Sequence, residues 1–185
     1  MRCFGDGNPL YERYHDEEWG FPVRDEQVLY ERISLEAFQS GLAWITILRK
    51  REAFRRAFAG FDPEVVARYR DADVERLLGD VGIVRNRAKI EAAIANARAT
   101  LALREATTSL PVLFWSFAPA VPPEPVASLG DLPATTPESV ALAKALKAAG
   151  FRFVGPTTAY AAMQACGAVN DHLAGCPVRE QVAIS

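Results

Sequence analysis

Apolar side chains recur at helical spacing along most of the chain, and this pattern predicts an all-α fold. The first helix carries its apolar residues on one face: Val28, Leu29, Ile33 and Phe38. Asp25 is suited to cap the start of this helix, and the Ser40-Gly41 pair is suited to end it. A second helix follows within residues 42–60 and ends at Gly60. No stretch alternates apolar and polar residues for long enough to require a sheet.

Caps, prolines and glycines mark where further helices begin and end. A long amphipathic helix is predicted over residues 83–105, and helix starts are predicted at Asp62-Pro63, at Asp73, at Thr136-Pro137 and at about Thr157. The last of these helices ends at Cys166, before Gly167. Residues 118–136 contain five prolines and are expected to form an extended surface loop, because too little chain follows them to build an independent core. We therefore expect a single domain over residues 1–185.

Composition narrows the class of protein further. The 185 residues are 50% hydrophobic and 24% charged, which is typical of a soluble globular protein. No apolar run approaches the roughly 20 residues that cross a bilayer, so no membrane partner is expected. The first residues contain no apolar leader, and three scattered cysteines form no disulfide framework. A cytoplasmic chain with reduced thiols is the simplest interpretation.

Charge is unevenly distributed along the chain, although the net charge is only −2. Residues 1–47 carry 4 basic and 9 acidic side chains, whereas residues 48–104 carry 13 basic and 8 acidic ones. A basic middle segment can place a positive face against phosphates while the whole protein stays near neutral. Arginines of amphipathic helices that simply face water explain the same distribution. Charge alone therefore does not decide whether this segment binds phosphates.

Both histidines of the chain have a cysteine partner, and the two pairs lie near its two ends. These residues are Cys3 with His15, and His172 with Cys176. Two thiolates and two imidazoles suit a tetrahedral Zn²⁺ in a closed, structural site, which would join the two termini. The spacings are loose, and four unrelated buried residues are the alternative. Cys166 is expected to lie in the core.

Residues 79–90 have the layout of a helix-hairpin-helix, within a unit that spans about 73–104. A short helix ends, Gly82 frees the turn, and the next helix begins among basic residues. In such a hairpin, backbone N–H groups and the helix N-terminus contact a DNA phosphate without reading the base sequence. Arg85, Arg87 and Lys89 would add positive charge to that contact. A plain helical hairpin with solvated arginines gives the same pattern and stays an alternative.

One acidic residue and four aromatic residues are candidates for a slot that takes a flat ring: Glu36, Tyr11, Tyr14, Trp19 and Trp44. The Ser40-Gly41 break would allow Glu36 and Trp44 to converge. A flat apolar slot with one carboxylate suits a nucleobase, stacked on rings and hydrogen-bonded at an edge. The alternative is that these aromatic side chains simply belong to the core.

Taken in order along the chain, several motifs resemble the DNA-3-methyladenine glycosylase I family, within the helix-hairpin-helix DNA glycosylase superfamily. The segments that carry the resemblance are Pro9–Gly20 (PLYERYHDEEWG), Leu35-Glu36, Ser40–Thr46 (SGLAWIT), Gly82–Ile90 (GIVRNRAKI), Phe151–Gly155 (FRFVG), Met163–Gly167 (MQACG) and Val169–His172 (VNDH). They cover nearly the whole chain, and motifs of this length are specific.

The resemblance implies two closely packed helical lobes, with one structural zinc per chain on the four cysteine and histidine residues. It implies an enzyme that hydrolyses the N-glycosidic bond of 3-methyladenine in double-stranded alkylated DNA. We expect a monofunctional enzyme, because no lysine is suited to a lyase reaction, and we expect a monomer. The products would be free 3-methyladenine and an abasic site. Glu36 would be catalytic and would contact the flipped base together with Tyr14 and Trp44, with Tyr11 and Trp19 beside them. Gly82, Arg85, Arg87 and Lys89 would contact the DNA backbone.

The chain departs from the family pattern near its first cysteine. The family often has a tryptophan two residues after that cysteine, and here the position is Gly5. Either Phe4 supplies the missing ring or the pocket is more open on that side. No Asp lies between residues 92 and 130, so the catalytic Asp that many superfamily relatives carry after the hairpin has no counterpart.

Two other functions stay open on the sequence. A zinc-stabilised protein could bind or flip damaged bases without cleaving the glycosidic bond. A hydrolase could use Cys3 or Cys176 as a thiol nucleophile. Release of free 3-methyladenine separates the first alternative from a glycosylase, and a tightly held zinc would exclude the second.

Overall fold

The computed structural model describes residues 1–182, and over that range it contains helices and connecting segments but no strand. The α-helices in chain order are α1 (Pro9–Glu17), α2 (Glu26–Gln39), α3 (Trp44–Ala57), α4 (Pro63–Val66), α5 (Asp71–Gly79), α6 (Arg87–Glu105), α7 (Leu110–Trp115), α8 (Pro137–Ala148) and α9 (Pro156–Ala165). Short 3-10 helices lie at Ala59–Phe61, Leu129–Asp131 and Pro177–Glu180. The all-α prediction is confirmed.

Helix α2 is the central element of the molecule. Every residue from Leu29 to Phe38 is buried, which requires neighbours on all sides of the helix. Helices α3, α6, α7 and α9 pack around it, and one main hydrophobic core continues from α2 into α5, α8 and the segment after α9. The core includes polar residues of α2, among them Arg32 and Glu36. Their position on a helix buried on all sides places both in the protein interior.

Most predicted helix starts agree with the structure. The capping side chains that predicted them form the expected hydrogen bonds. The Asp25 side chain accepts from the Val28 N–H at 2.9 Å, and Thr136 and Ser139 form a reciprocal capping box at the start of α8. The proline-rich residues 118–136 are irregular except for the short turn at Leu129–Asp131.

Two helices, α1 and α7, were not predicted. Each begins with a capping side chain followed by a proline in the first turn: Asn8-Pro9 for α1, and Ser109 with Pro111 for α7. These are the signals that predicted α4 and α8, and they were present in the sequence here as well.

The hairpin between α5 and α6 differs from the prediction at both helix ends. Helix α5 begins at Asp71, because Asp73 is the third helical residue and accepts from the Arg70 N–H. Helix α6 begins at Arg87, since the Asn86 side chain caps it by accepting from the Lys89 N–H at 3.1 Å. Residues 80–86 therefore form a longer turn than the sequence pattern suggested.

The two ends of the described chain meet in a small apolar cluster of their own. Cys176, Val178 and Val182 are buried there, with Cys3 and Phe21 packed against them. No helix within residues 1–182 is both long enough and apolar enough to cross a membrane.

Candidate active site and metal cluster

The structure brings the four predicted metal ligands together. The ligand atoms of Cys3, His15, His172 and Cys176 all lie within 4.8 Å of one another, and three of the four residues are buried. The Cys176 Sγ lies 3.6 Å from His15 Nε2 and 3.5 Å from His172 Nδ1, and the Cys3 Sγ lies 3.6 Å from His172 Nδ1.

These distances fit one tetrahedral ion. With Zn–S near 2.3 Å and Zn–N near 2.0–2.1 Å, a tetrahedron has S···N edges of about 3.6 Å. Burial lowers the pKa of His172 to about 4, which keeps its imidazole neutral, the form that binds metals. Burial also raises the pKa of the Cys3 thiol to about 11. In a site of this kind both thiols would be metal ligands and neither would be free to act as a nucleophile, which argues against the thiol hydrolase.

Hydrogen bonds fix how both imidazole rings face the cluster. Asp16 Oδ1 lies 2.8 Å from His15 Nδ1, so this nitrogen carries the proton and Nε2 is directed to the thiols. The Trp19 carbonyl accepts from His172 Nε2 at 2.9 Å, which leaves Nδ1 for the thiols. Gly20 has a φ of +86°, and a Cβ there would lie 2.9 Å from His172 Nε2. Both the positive φ and the close approach of the His172 ring therefore require glycine at this position.

A slot of about 240 Å³ opens beside the cluster. Its walls come from α1 and the segments on either side of it, from α2, α3 and α9, and from the proline-rich loop: Phe4, Tyr11, Tyr14, Trp19, Glu36, Gln39, Trp44, Leu129, Leu132, Ala161 and Gln164. All five residues predicted for a ring-binding slot are among them. Glu36 and Trp44 face the same cavity, as the break at the end of α2 allowed.

Aromatic packing joins the slot to the metal cluster. The Tyr14 and Trp44 rings lie 5.3 Å apart at an angle of 42°, so they diverge like the sides of a wedge. Trp19 packs edge-on against the His172 ring at 4.6 Å, and Phe4 packs edge-on against His15 at 5.0 Å. Within residues 3–19 the ligands Cys3 and His15 are direct neighbours of the slot residues Phe4 and Tyr14, so the position of the cluster sets the position of this part of the slot wall.

Two polar atoms on the slot walls lack a partner. The Tyr14 hydroxyl and the Trp44 indole N–H are buried, and no acceptor or donor within residues 1–182 reaches them. Buried polar groups in native proteins are nearly always hydrogen-bonded, and leaving one unpaired costs about 1–3 kcal/mol. The slot is therefore suited to a ligand that carries polar atoms on a flat ring.

Glu36 is the acidic group of the slot. Burial raises the pKa of its carboxyl to about 8, although the Arg32 guanidinium, one helical turn earlier, opposes this shift. At neutral pH the carboxyl of the empty slot is therefore largely protonated. A positively charged ligand would stabilise the carboxylate, so a cation and the loss of this proton favour each other.

We expect replacement of Glu36 with glutamine to stabilise the free protein increasingly as the pH rises. The folded-state pKa lies above the unfolded one, so the wild type loses stability between about pH 4.5 and pH 8, whereas glutamine does not titrate. The stability difference between Glu36→Gln and wild type should grow by roughly 2–4 kcal/mol from pH 5 to pH 8 in denaturant unfolding. The exposed Glu17→Gln is the matched control. A difference that is the same at both pH values would contradict this ionisation.

The predicted DNA-contacting residues of the hairpin lie in different environments. Arg85 is exposed, and no acceptor within residues 1–182 reaches the N–H groups of Val84 and Arg85. Arg87 is exposed as well but forms ion pairs with Glu75 and Glu91. A Cβ on Gly82 would lie 2.9 Å from that of Ala53, so glycine lets the turn pack against α3.

Lys89 does not join this exposed surface, which corrects its predicted role. Its ammonium is buried and donates to the Phe38 carbonyl at 2.9 Å and to the Ser40 carbonyl at 2.6 Å. These carbonyls end α2, where the helix leaves its last acceptors unpaired. Lys89 therefore holds the break that separates Glu36 from Trp44. Lys50 has a similar function in the turn, where it donates to the carbonyls of residues 81 and 82.

The sequence assigned no role to five residues of the slot: Gln39, Leu129, Leu132, Ala161 and Gln164. Phe4 was considered as the missing ring, and it does line the slot. Gln164 lies within the MQACG motif but had no assigned role. Leu129 and Leu132 had no signal, since only the three-dimensional path of the proline-rich loop brings them to α2.

The fold and the site define an all-helical protein with a cysteine and histidine cluster drawn from both ends of the sequence and a slot for one flat, polar ring. The family described as Methyladenine glycosylase matches residues 4–180. Over 170 residues, 91% of both chains, the sequence is 50% identical to DNA-3-methyladenine glycosylase 1 of Escherichia coli (strain K12).

Solved structures of two relatives have the same fold as this chain. A crystal structure of 3-methyladenine DNA glycosylase I has a TM-score of 0.92 and 51% identity, covering 96% of this chain and 98% of that one. The Staphylococcus aureus 3-methyladenine DNA glycosylase I, solved to explain its recognition of 3-methyladenine, has a TM-score of 0.90 and 35% identity, covering 96% and 95%. The chain belongs to the methyladenine glycosylase family.

Proposed function

We propose that this protein is a monofunctional DNA-3-methyladenine glycosylase, which hydrolyses the N-glycosidic bond of the damaged base and leaves an abasic site. The observation that carries the proposal is the slot itself, which is lined by Glu36 and by two aromatic residues, Tyr14 and Trp44, whose buried polar atoms have no partner within residues 1–182. The names of the relatives support the same activity. The main hydrophobic core, which joins α2 to helices from both halves of the chain, supports the proposal of a single glycosylase domain.

The chemistry of the substrate suits this slot. Methylation at N3 gives adenine a positive charge, which weakens the C1′–N9 bond and lets the base leave as a neutral molecule. The protein therefore has little need for a strong acid at the leaving group. Its task is to extrude the nucleotide, at a cost of roughly a few kcal/mol that is smaller for a damaged base, and to hold it.

Aromatic walls favour the charged base over normal adenine. Tyr14 and Trp44 form the two sides of the wedge, and a cation against such rings gains roughly 0.5–2 kcal/mol, most when water is excluded. Because the two rings are tilted by 42°, a base stacked on Trp44 would present its edge to Tyr14, whose unpaired hydroxyl can hydrogen-bond to it. Tyr11 and Trp19 complete the enclosure and exclude water.

Glu36 would select for the charge of the damaged base. In the empty slot its carboxyl is largely protonated at neutral pH, which the sequence did not reveal. Entry of the cationic base releases this proton, and the carboxylate then accepts a charge-assisted hydrogen bond from the exocyclic amine. Normal adenine brings no charge to offset the ionisation of Glu36. Burial of the carboxyl thus strengthens the discrimination between damaged and undamaged purines.

The four-residue cluster would hold one structural Zn²⁺. Two cysteines and two histidines leave no open position for a substrate, so the ion would supply a fixed junction between the chain ends and no reaction step. The junction holds Phe4, Tyr14 and Trp19 against the slot through their neighbours in the chain. The predicted cytoplasmic location and monomeric state stay predictions.

Double-stranded DNA would contact the protein at the hairpin through Gly82, Arg85 and Arg87. The unpaired N–H groups of the turn and the N-terminus of α6 can bind a phosphate without sequence preference. Arg87 would have to exchange its carboxylate partners for phosphate, so Arg85 is the readier contact.

Replacing Arg85 with alanine should weaken binding to undamaged duplex DNA about five- to tenfold at low salt and lower the salt dependence by about one counterion. Binding of free 3-methyladenine should not change, because Arg85 is not part of the slot. Fluorescence anisotropy with labelled duplex at several salt concentrations measures both effects. Lys144→Ala, which removes an exposed charge on α8, is the matched control. Equal weakening by both variants would contradict a hairpin contact.

Incubation with methylated double-stranded DNA tests the proposed activity. A glycosylase releases free 3-methyladenine and leaves sites that alkali cleaves, whereas a lesion-binding protein retains the DNA with every glycosidic bond intact. A monofunctional enzyme leaves the strand uncut before alkali treatment. Tight lesion binding without release of the base would establish the binding protein instead.

A further inference from the structure

A hydrogen-bonded group of three side chains lies directly behind the slot. The Asp171 Oδ2 accepts from the Tyr160 hydroxyl at 2.6 Å and from the Gln164 Nε2 at 2.8 Å. Asp171 and Tyr160 are both buried, whereas Gln164 is partly exposed and lines the slot. The group thus connects the interior of the protein to the ligand cavity.

The acceptor behind Gln164 determines how its amide is turned. The Gln164 Nε2 donates to the same Asp171 oxygen that accepts from the Tyr160 hydroxyl, so the amide nitrogen of Gln164 faces Asp171. The amide oxygen is left as the free polar atom of this side chain, and no donor within residues 1–182 reaches it. Gln164 therefore offers the slot an acceptor.

We propose that Gln164 is a specificity-determining residue that accepts a hydrogen bond from the C6 amino group of the bound base, and that Asp171 is the positioning residue that fixes this orientation. The inference rests on the proposed glycosylase function. An adenine-type base has two hydrogens on that amino group, one for Glu36 on α2 and one for Gln164 on α9, and these helices pack against each other. A guanine-type base presents a carbonyl oxygen there, which would meet two acceptors. The class of ligand is therefore a purine with an amino group at C6.

The test compares the release of 3-methyladenine and 3-methylguanine from one methylated DNA. Gln164→Met keeps the side-chain volume and removes the acceptor, so we expect its preference for 3-methyladenine to fall about tenfold. Asp171→Asn should lower the preference in the same direction, because an amide can donate as well as accept and no longer fixes the turn of Gln164. Tyr160→Phe removes the other hydrogen bond to the same carboxylate oxygen and should leave the preference unchanged.

Two further measurements separate a failure of this proposal from loss of the metal and from a failure of the proposed glycosylase activity. Metal content is measured for Asp171→Asn, because the next residue is His172. The same preference is measured for binding of the two free bases, which requires no bond cleavage, so inactive wild-type protein would contradict the glycosylase and leave this test intact. If Gln164→Met does not fold, Gln164→Leu replaces it. An unchanged preference in the folded Gln164 variant, or an equal loss for both bases, would overturn the proposal.

Discussion

Replacing Cys176 with serine is expected to abolish tight zinc binding and to lower the melting temperature by about 10–20 °C, which corresponds to a loss of roughly 4–5 kcal/mol for a chain of this size. The effect is large because the ion would join segments at opposite ends of the sequence, and its binding free energy is also folding free energy. Removal of the metal from the wild type by a chelator should give the same shift. Metal analysis and calorimetry check both results.

Cys166→Ala is the matched control for this substitution. Cys166 is also buried, but it lies at the end of α9 outside the four-residue cluster. Its thiol packs in the core, so the change should cost about 1 kcal/mol and leave one zinc per chain. A Cys176→Ser variant that still holds one zinc, or that melts like the wild type, would contradict the structural metal site.

Replacing Glu36 with glutamine is expected to slow the excision of 3-methyladenine about 100-fold, which corresponds to about 2.7 kcal/mol of lost stabilisation. The substitution keeps the shape of the side chain and removes the charge that would pair with the cationic base. Binding to undamaged duplex DNA should not change, because Glu36 lies inside the slot. Single-turnover release of the base and DNA binding are measured on the same preparation.

Glu17→Gln, an exposed residue of α1, makes the same chemical change away from the slot and should leave both activities intact. Equal losses of excision and of DNA binding in Glu36→Gln would indicate a disturbed fold in place of lost base recognition. Wild-type excision in Glu36→Gln would remove this residue from the site.

The sequence predicts the metal cluster because few other residues compete for the role. The chain has two histidines and three cysteines, and the paired positions of four of them pointed to one site. The slot was harder to predict from the sequence, since aromatic residues at helical spacing also form ordinary cores. Tyr14 is in fact almost completely buried and lines the slot at the same time. Its unpaired hydroxyl, which distinguishes the two roles, is visible only in three dimensions.

The direction and charge state of polar side chains could not be predicted from the sequence. The sequence pattern groups Lys89 with the arginines of the hairpin, yet its ammonium is buried and donates to carbonyls at the end of α2. A lysine has no sequence signal that separates a phosphate contact from a buried cap. The ionisation of Glu36 depends on its burial, and the orientation of Gln164 depends on Asp171, seven residues later. Both follow from packing between α2, α9 and the segment after α9.

A crystal structure of the metal-loaded protein with free 3-methyladenine tests the slot assignment most directly. The predicted result is a purine ring stacked on Trp44 and in contact with Tyr14, with its amino group within hydrogen-bonding distance of the Glu36 carboxyl. Well-ordered 3-methyladenine bound elsewhere, or in the slot without contact to both Glu36 and Trp44, would contradict it.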